Sequence, residues 1–249
     1  MLKENSHYSE HYQIYRGDFT EILPDLHFPV GEGERVHIIT DPPYEDELHE
    51  AAKKGRVKNL NEMGFDGIND VRDEYARIMV EHATGWLLSF TLAEGVRAWR
   101  DAQQAAGAKW DTCLAWVKPD STPRMNGQGA ARGFENITSA WCGPGYKTWN
   151  GGGKRGVYTH FCNWPGRVPA KKGGHPTEKP IGLMRELISD FTKPGDLVID
   201  PFMGSGTTGE ACIILGRRFI GIEMQQKWYD WSKDRLDAAS RQDDLFPNM

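Results

Sequence analysis

The side chains best placed to do chemistry lie in two stretches, Asp41-Pro42-Pro43-Tyr44 and residues 200–223. In the first, consecutive prolines cannot donate to a sheet ladder and keep the backbone extended, so a carboxylate, the Pro42 carbonyl and a flat ring stand at fixed spacing. An exocyclic amino group has two hydrogens to give. Asp41 and the Pro42 carbonyl can accept both while Tyr44 stacks on the ring that carries the amine, with Pro43 holding the spacing. The plain alternative is loop punctuation at a sheet edge.

The second stretch reads strand, glycine turn, helix, strand. Leu197, Val198 and Ile199 suit a buried parallel strand, Gly204 and Gly206 permit a turn closed to residues with a Cβ, and 207–215 carries helical apolar spacing. A further strand over 219–222 ends in Glu223. In a doubly wound sheet this arrangement sets a ligand against the turn, with an acid placed for ribose hydroxyls. Two cofactors compete for it. Gly204, Gly206 and Gly209 match the dinucleotide fingerprint of an NAD enzyme. Asp200, at the strand's end, would repel a pyrophosphate, whereas S-adenosyl-L-methionine (SAM) has no phosphate and brings an ammonium and a sulfonium that favour an acid. The acid favours SAM.

The elements that must position these groups follow in order. Strands are predicted over 12–15, 36–40, 86–90, 112–117, 136–141 and 157–161, and helices over 21–26, 72–82, 93–106, 181–191 and 225–239. The alternation is α/β. Asp18 and Phe19 follow the first strand, where an acid is again a ligand position. Thr177 is the expected N-cap of helix 181–191, with Pro180 in its first turn. The chain, 1–249, is read as one domain with a mobile loop at 45–70 and a polar, flexible tail at 240–249.

The net charge of −5 hides a division: between Val117 and Pro180 there are ten Lys or Arg against three acids, a segment of +7 on a remainder of −12. Interleaved with Trp141, Tyr146, Trp149, Tyr158, Phe161 and Trp164, the cations suit stacking and phosphate contact, although a solvated loop with a small aromatic core reads the same way. Cys113, Cys142, Cys162 and Cys212 are far apart without a CxxC pair, and His160 beside Cys162 is incidental, so no metal site is expected. No apolar run approaches the ~18 residues of a membrane span, and the start lacks a signal segment, so a cytoplasmic protein away from membranes is expected.

Asp41 to Tyr44, His175-Pro176-Thr177-Glu178-Lys179-Pro180 and Asp200 to Thr208, in that order, resemble the motifs of the β-class SAM-dependent DNA amino-methyltransferases, in particular small phage- or prophage-type orphan adenine enzymes. The resemblance spans roughly 12–236. It implies a Rossmann-like, doubly wound, mixed seven-stranded sheet, circularly permuted with the catalytic half first, and an inserted basic target-recognition region, here 118–170. It further implies that Asp41, Pro42, Pro43 and Tyr44 are catalytic. Asp200, Phe202, Gly204, Ser205, Gly206 and Thr207 would line the methionine end of SAM, Glu223 its ribose, Asp18 and Phe19 its adenine, and Thr177 and Lys179 its carboxylate. Lys118, Arg124, Arg132, Lys147, Lys154, Arg155 and Arg167 are the expected contacts to double-stranded DNA. The Asp-headed motif resembles adenine-N6 enzymes more than cytosine-N4 ones. An NAD oxidoreductase leaves Asp41 to Tyr44 unexplained, and a silent DNA-binding module has no need of them. A homodimer is a further expectation. So is a sliding-clamp contact through Gln242, Leu245 and Phe246, which resembles short clamp-binding peptides.

Overall fold

The structure, a computed structural model, describes residues 5–43, 68, 71–169 and 172–245. Its strands are β1 (Ser6–Tyr8), β2 (Tyr12–Arg16), β3 (Val36–Thr40), β4 (Trp86–Thr91), β5 (Lys109–Val117), β6 (Phe134–Trp141), β7 (Val157–Thr159), β8 (Leu197–Asp200) and β9 (Arg218–Glu223). Its helices are α1 (Phe19–Ile22), α2 (Arg72–His82), α3 (Val96–Ala105), α4 (Ile181–Phe191), α5 (Thr207–Ile214) and α6 (Gln226–Leu245), with short 3-10 turns at Leu23–Asp25 and Ala93–Gly95.

The central strands are apolar at successive positions because both faces of the sheet are covered. Ile38, Leu87, Leu197 and Ile199 pack on one face with Phe19, Met79 and Trp99 of α1, α2 and α3. Their neighbours Ile39, Leu88 and Val198 turn to the other face, against Leu183, Leu187, Ala211 and Leu236 of α4, α5 and α6. Each strand therefore feeds two cores by its own alternation.

The sheet order is β1-β2-β9-β8-β3-β4-β6-β5-β7. Strands β2, β9, β8, β3 and β4 run parallel, while β6 is antiparallel to both β4 and β5. From the adjacent pair β3 and β8 the chain winds outward in opposite directions, to β4 on one side and β9 on the other. This reversal opens a crevice at the carboxyl ends of β3 and β8, where ligands bind in open α/β sheets.

Three expectations change. The described residues form nine strands, not seven, and the additions lie at the edges. Strand β1, in which Ser6, His7 and Tyr8 show no apolar pattern, pairs antiparallel with β2, while β7, the strand expected over 157–161, pairs parallel with β5 and ends at Thr159. The last helix does not stop at 239 but reaches Leu245, since Ala239 and Ser240 are still buried and packing carries it onward; the expected tail therefore begins as helix. Helix α1 starts two residues earlier than predicted because Asp18 caps it, its Oδ1 accepting the Thr20 amide at 2.8 Å. Tyr44, residues 246–249 and all of the expected loop 45–70 except the buried Ile68 lie outside the described residues.

Candidate active site

Strand β8 delivers Asp200 to the crevice, almost fully buried and held by three donors. Thr40 Oγ1 donates to its Oδ1 at 2.8 Å, Thr208 Oγ1 to its Oδ2 at 2.6 Å, and the Phe202 amide to its Oδ1 at 3.1 Å. Burial nevertheless pushes this carboxyl up to about 6 against the relief these bonds supply. The turn that follows needs its glycines. Gly204 and Gly206 have φ of 50° and 79°, and a Cβ on Gly206 would lie 2.9 Å from Ser232 Cβ on α6.

Strand β9 ends the same way. Glu223 is buried, its Oε2 accepting the Gly204 amide at 3.1 Å and its Oε1 the Gln225 amide at 2.8 Å. Burial raises it to about 7, again against those hydrogen bonds. The Gly17 amide donates to the Glu223 carbonyl at 3.1 Å, which brings the end of β2, with Asp18 and Phe19, alongside. There Phe19 meets Phe202 at 4.9 Å and Tyr75 of α2 at 4.8 Å, an aromatic corner beside two acids.

These residues fit SAM better than a dinucleotide. Among the described residues the turn presents carboxylates, and the Gly204 amide that a pyrophosphate would need is already given to Glu223. Desolvated acids beside an aromatic corner suit a cationic cofactor with a ribose and an adenine. When bound, SAM supplies an electrophilic methyl group.

Asp41 leaves the end of β3 one residue after Thr40. Its Oδ2 receives the Lys179 ammonium, which lies 3.4 Å from Glu135 Oε2 as well. The ammonium of Lys179, expected at the cofactor's carboxylate, pairs with Asp41 and Glu135. Thr177 is not the N-cap of α4: Pro180 holds that position without a side-chain cap. Ser205 and Thr207 are buried, and Arg235 of α6 donates to the Ser205 carbonyl at 3.0 Å and to Thr207 Oγ1 at 2.7 Å. Arg235 also pairs with Glu178 at 2.6 Å, tying the glycine turn to the loop that carries Lys179. His175 packs edge-on against Trp228 at 4.5 Å, and burial lowers it to about 4, so it stays neutral at physiological pH.

The expected DNA contacts divide into two groups. Lys118 pairs with Glu135, Arg132 with Glu94 at 3.2 Å, Lys147 with Asp111 at 2.5 Å, and Lys154 with Glu186 and Asp190, both at 2.6 Å. Arg167 donates to the carbonyls of Cys162 at 3.1 Å and Pro176 at 3.3 Å. Arg124 and Arg155 are exposed with no carboxylate partner among the described residues. Sequence reasoning missed Thr40, Thr208, Tyr75, Glu135 and Arg235. Among these, only Thr40, directly before Asp41, stood beside an expected site acid in the chain itself.

A doubly wound sheet with acids flanking a glycine turn at its switch point, and a further carboxylate on a Pro-Pro segment at the neighbouring strand end, defines a SAM-type methyltransferase. The chain belongs to the N6/N4 DNA methylase family, whose model, described as DNA methylase, matches residues 36–234. It is 26% identical over 262 residues to the type II methyltransferase M2.MboI of Moraxella bovis, covering 91% of this chain and 88% of that protein. With M2.DpnII of Streptococcus pneumoniae it shares 44% identity over 81 residues, 31% of this chain and 30% of that one. The crystal structure of the M1.HpyAVI–SAM complex superposes with a TM-score of 0.68 at 27% identity, covering 91% of this chain and 99% of the other. The cytosine-N4-specific PvuII DNA methyltransferase superposes at 0.66 with 16% identity over 94% and 93% of the two chains, a likeness of fold alone.

Proposed function

We propose that this DNA methyltransferase transfers the methyl group of SAM to the N6 amine of an adenine flipped out of duplex DNA. The observation that supports the reading is the bond from Thr40 to Asp200, since Asp41 is the residue after Thr40 and Asp200 opens the glycine turn read as the cofactor's. The amine donates its hydrogens to Asp41 and to the Pro42 carbonyl, and Tyr44 stacks on the base. Those bonds would draw the nitrogen toward tetrahedral geometry and localise its lone pair for in-line attack on the sulfonium methyl; as the N–C bond formed, the C–S bond would break to release S-adenosylhomocysteine, and the surplus amine proton would pass to solvent. The rate then comes from positioning and from exclusion of water.

In this reading Asp200, Phe202 and the turn at Gly204, Ser205, Gly206 and Thr207 hold the methionine end of SAM. Glu223 takes the ribose, and Asp18 and Phe19 the adenine. The choice of adenine over cytosine rests on Asp rather than Ser at the head of the 41–44 motif. The order of the motifs, with Asp41 before Asp200, supports the circularly permuted arrangement. Residues 118–170, with Arg124 and Arg155 exposed, supply the DNA face.

A cytoplasmic location, a homodimer and a clamp contact through 242–246 accompany this proposal. The last requires the final turn of α6 to unwind. No helix among the described residues is long and apolar enough to cross a membrane. Sequencing that detects modified bases, on DNA from cells expressing the protein, tests the base: N6-methyladenine at one recurring site is expected, and N4-methylcytosine there contradicts it.

A further inference from the structure

Four charges alternate outward from Asp41 at the crevice: Asp41, Lys179, Glu135 and Lys118. They come from separate segments: Asp41 follows β3, Lys179 lies in the loop before α4, Glu135 is in β6, and Lys118 follows the end of β5. Lys179 is only 8% exposed, and the side chains of Glu135 and Lys118 are 12% and 14% exposed. Each ammonium lies over a ring, Lys179 4.9 Å from the centre of Phe90 and Lys118 4.4 Å from that of Trp116. Those two rings meet edge-on at 6.5 Å. Register explains the proximity, since Glu135 of β6 stands opposite Trp116 of β5, and Ile137, two residues on and so on the same face, stands opposite Phe90 of β4.

Such a chain has no net charge, the condition under which ions are tolerated away from water. It also has a direction. A lysine with a single carboxylate partner is free to settle across both of that partner's oxygens. A second carboxylate on its far side restrains it, and a second lysine keeps that carboxylate from pulling the first away.

We propose that Glu135 is a positioning residue for Asp41, acting through Lys179, and that Lys118 acts through Glu135. Glu135 holds the Lys179 ammonium to the Oδ2 side of Asp41, which neutralises the carboxylate while leaving it able to accept from the substrate amine. The inference rests on the reading of Asp41 as that acceptor. It assigns Lys179 to the reacting end of the site, not to the cofactor's carboxylate, and it assigns Lys118 to the same end, not to a phosphate.

The test is single-turnover methyl transfer at saturating DNA and SAM, paired with calorimetric SAM binding, on the full chain. Glu135→Gln is expected to slow transfer at least tenfold while the SAM dissociation constant stays within twofold. The double variant Lys118→Met/Glu135→Gln is expected to be no slower than Glu135→Gln, because Lys118 has nothing to act on once Glu135 is neutral. Transfer by Glu135→Gln within twofold of wild type overturns the proposal. So do multiplying losses in the double variant, or weakened SAM binding at an unchanged rate, which would return Lys179 to the cofactor. Should Glu135→Gln not fold, Lys118→Met decides: a loss of threefold or more with SAM affinity kept supports the chain, and an unchanged rate overturns it. Asp41→Asn separates the two levels. If it keeps wild-type transfer, the reading of Asp41 has failed; if it is inactive while Glu135→Gln is not, only the present inference has.

Discussion

Thr40 Oγ1 donates to Asp200 Oδ1 at 2.8 Å, so the last residue of β3 is fastened to the last residue of β8 across the switch point of the sheet. Asp200 and Asp41, which the proposed function assigns to the cofactor and to the substrate amine, are thereby set in one frame, because Asp41 follows Thr40 directly. Replacing Thr40 with Val keeps the shape and removes the donor. Losing a hydrogen bond to a buried carboxylate costs about 1.5–3 kcal/mol, so SAM affinity should fall roughly 10- to 100-fold in calorimetry. A dissociation constant equal to wild type would show that the bond does not organise the site.

With Asp200 and Glu223 facing the cofactor as proposed, their ionisation sets a pH dependence. Burial raises Asp200 from 3.8 to about 6 and Glu223 from 4.5 to about 7, so near pH 6.5 part of their population is protonated. A cationic cofactor that donates ribose hydroxyls favours the ionised forms, so SAM binding should release protons and tighten as pH rises through 6 to 7. Calorimetry at pH 6.5 in buffers of different ionisation enthalpy reads this directly, and proton uptake would contradict it. The sign for the unliganded fold is opposite. A carboxyl raised by folding contributes stability fully below its unfolded value and loses it as pH climbs through the folded one, so these two groups make the unliganded protein less stable as pH rises from about 4 to 7.

Gly206→Ala should cost about 2–3 kcal/mol in urea unfolding. It combines a φ of 79° with a Cβ 2.9 Å from Ser232 Cβ, and α6 cannot retreat without exposing its own core face. Gly153→Ala meets no atom within 4 Å and has an ordinary φ, so it should stay within about 0.5 kcal/mol of wild type. Equal stabilities for the two variants would remove the steric account of the turn.

Arg124→Glu and Arg155→Glu should each flatten the slope of log DNA affinity against log salt by about one, with the melting temperature unchanged. Lys154→Glu should behave differently. Its ammonium is held between Glu186 and Asp190, so reversing the charge places three acids together and lowers stability before it changes any slope. A stable Lys154→Glu protein whose slope is lower by one would place Lys154 on the DNA and not on α4.

Much of the frame was legible in the chain because the central strands must be apolar on both faces and the turn must be glycine. Residues 36–40, 72–82 and 181–191 occupy the elements their spacing predicts. What was not legible arises from tertiary partnership. Thr177 has the chemistry of a cap, yet Pro180 begins the helix, and Lys154 has the chemistry of a phosphate contact, yet two carboxylates of α4 claim it. Glu135 carries no local sign of a role, since its meaning comes from Lys179, which reaches it from a loop far along the chain. Strand β1 was hidden for the same reason: an edge strand needs only one partner and no apolar face.

Incubation of purified protein with duplex DNA and methyl-labelled SAM, followed by nucleoside digestion and chromatography, tests the central claim most directly. Wild type is expected to place label in N6-methyl-2′-deoxyadenosine, and Asp41→Asn, while still binding SAM within a few-fold of wild type, to place none. Label in N4-methyl-2′-deoxycytidine, or transfer by Asp41→Asn at the wild-type rate, would contradict the assignment of base and acceptor.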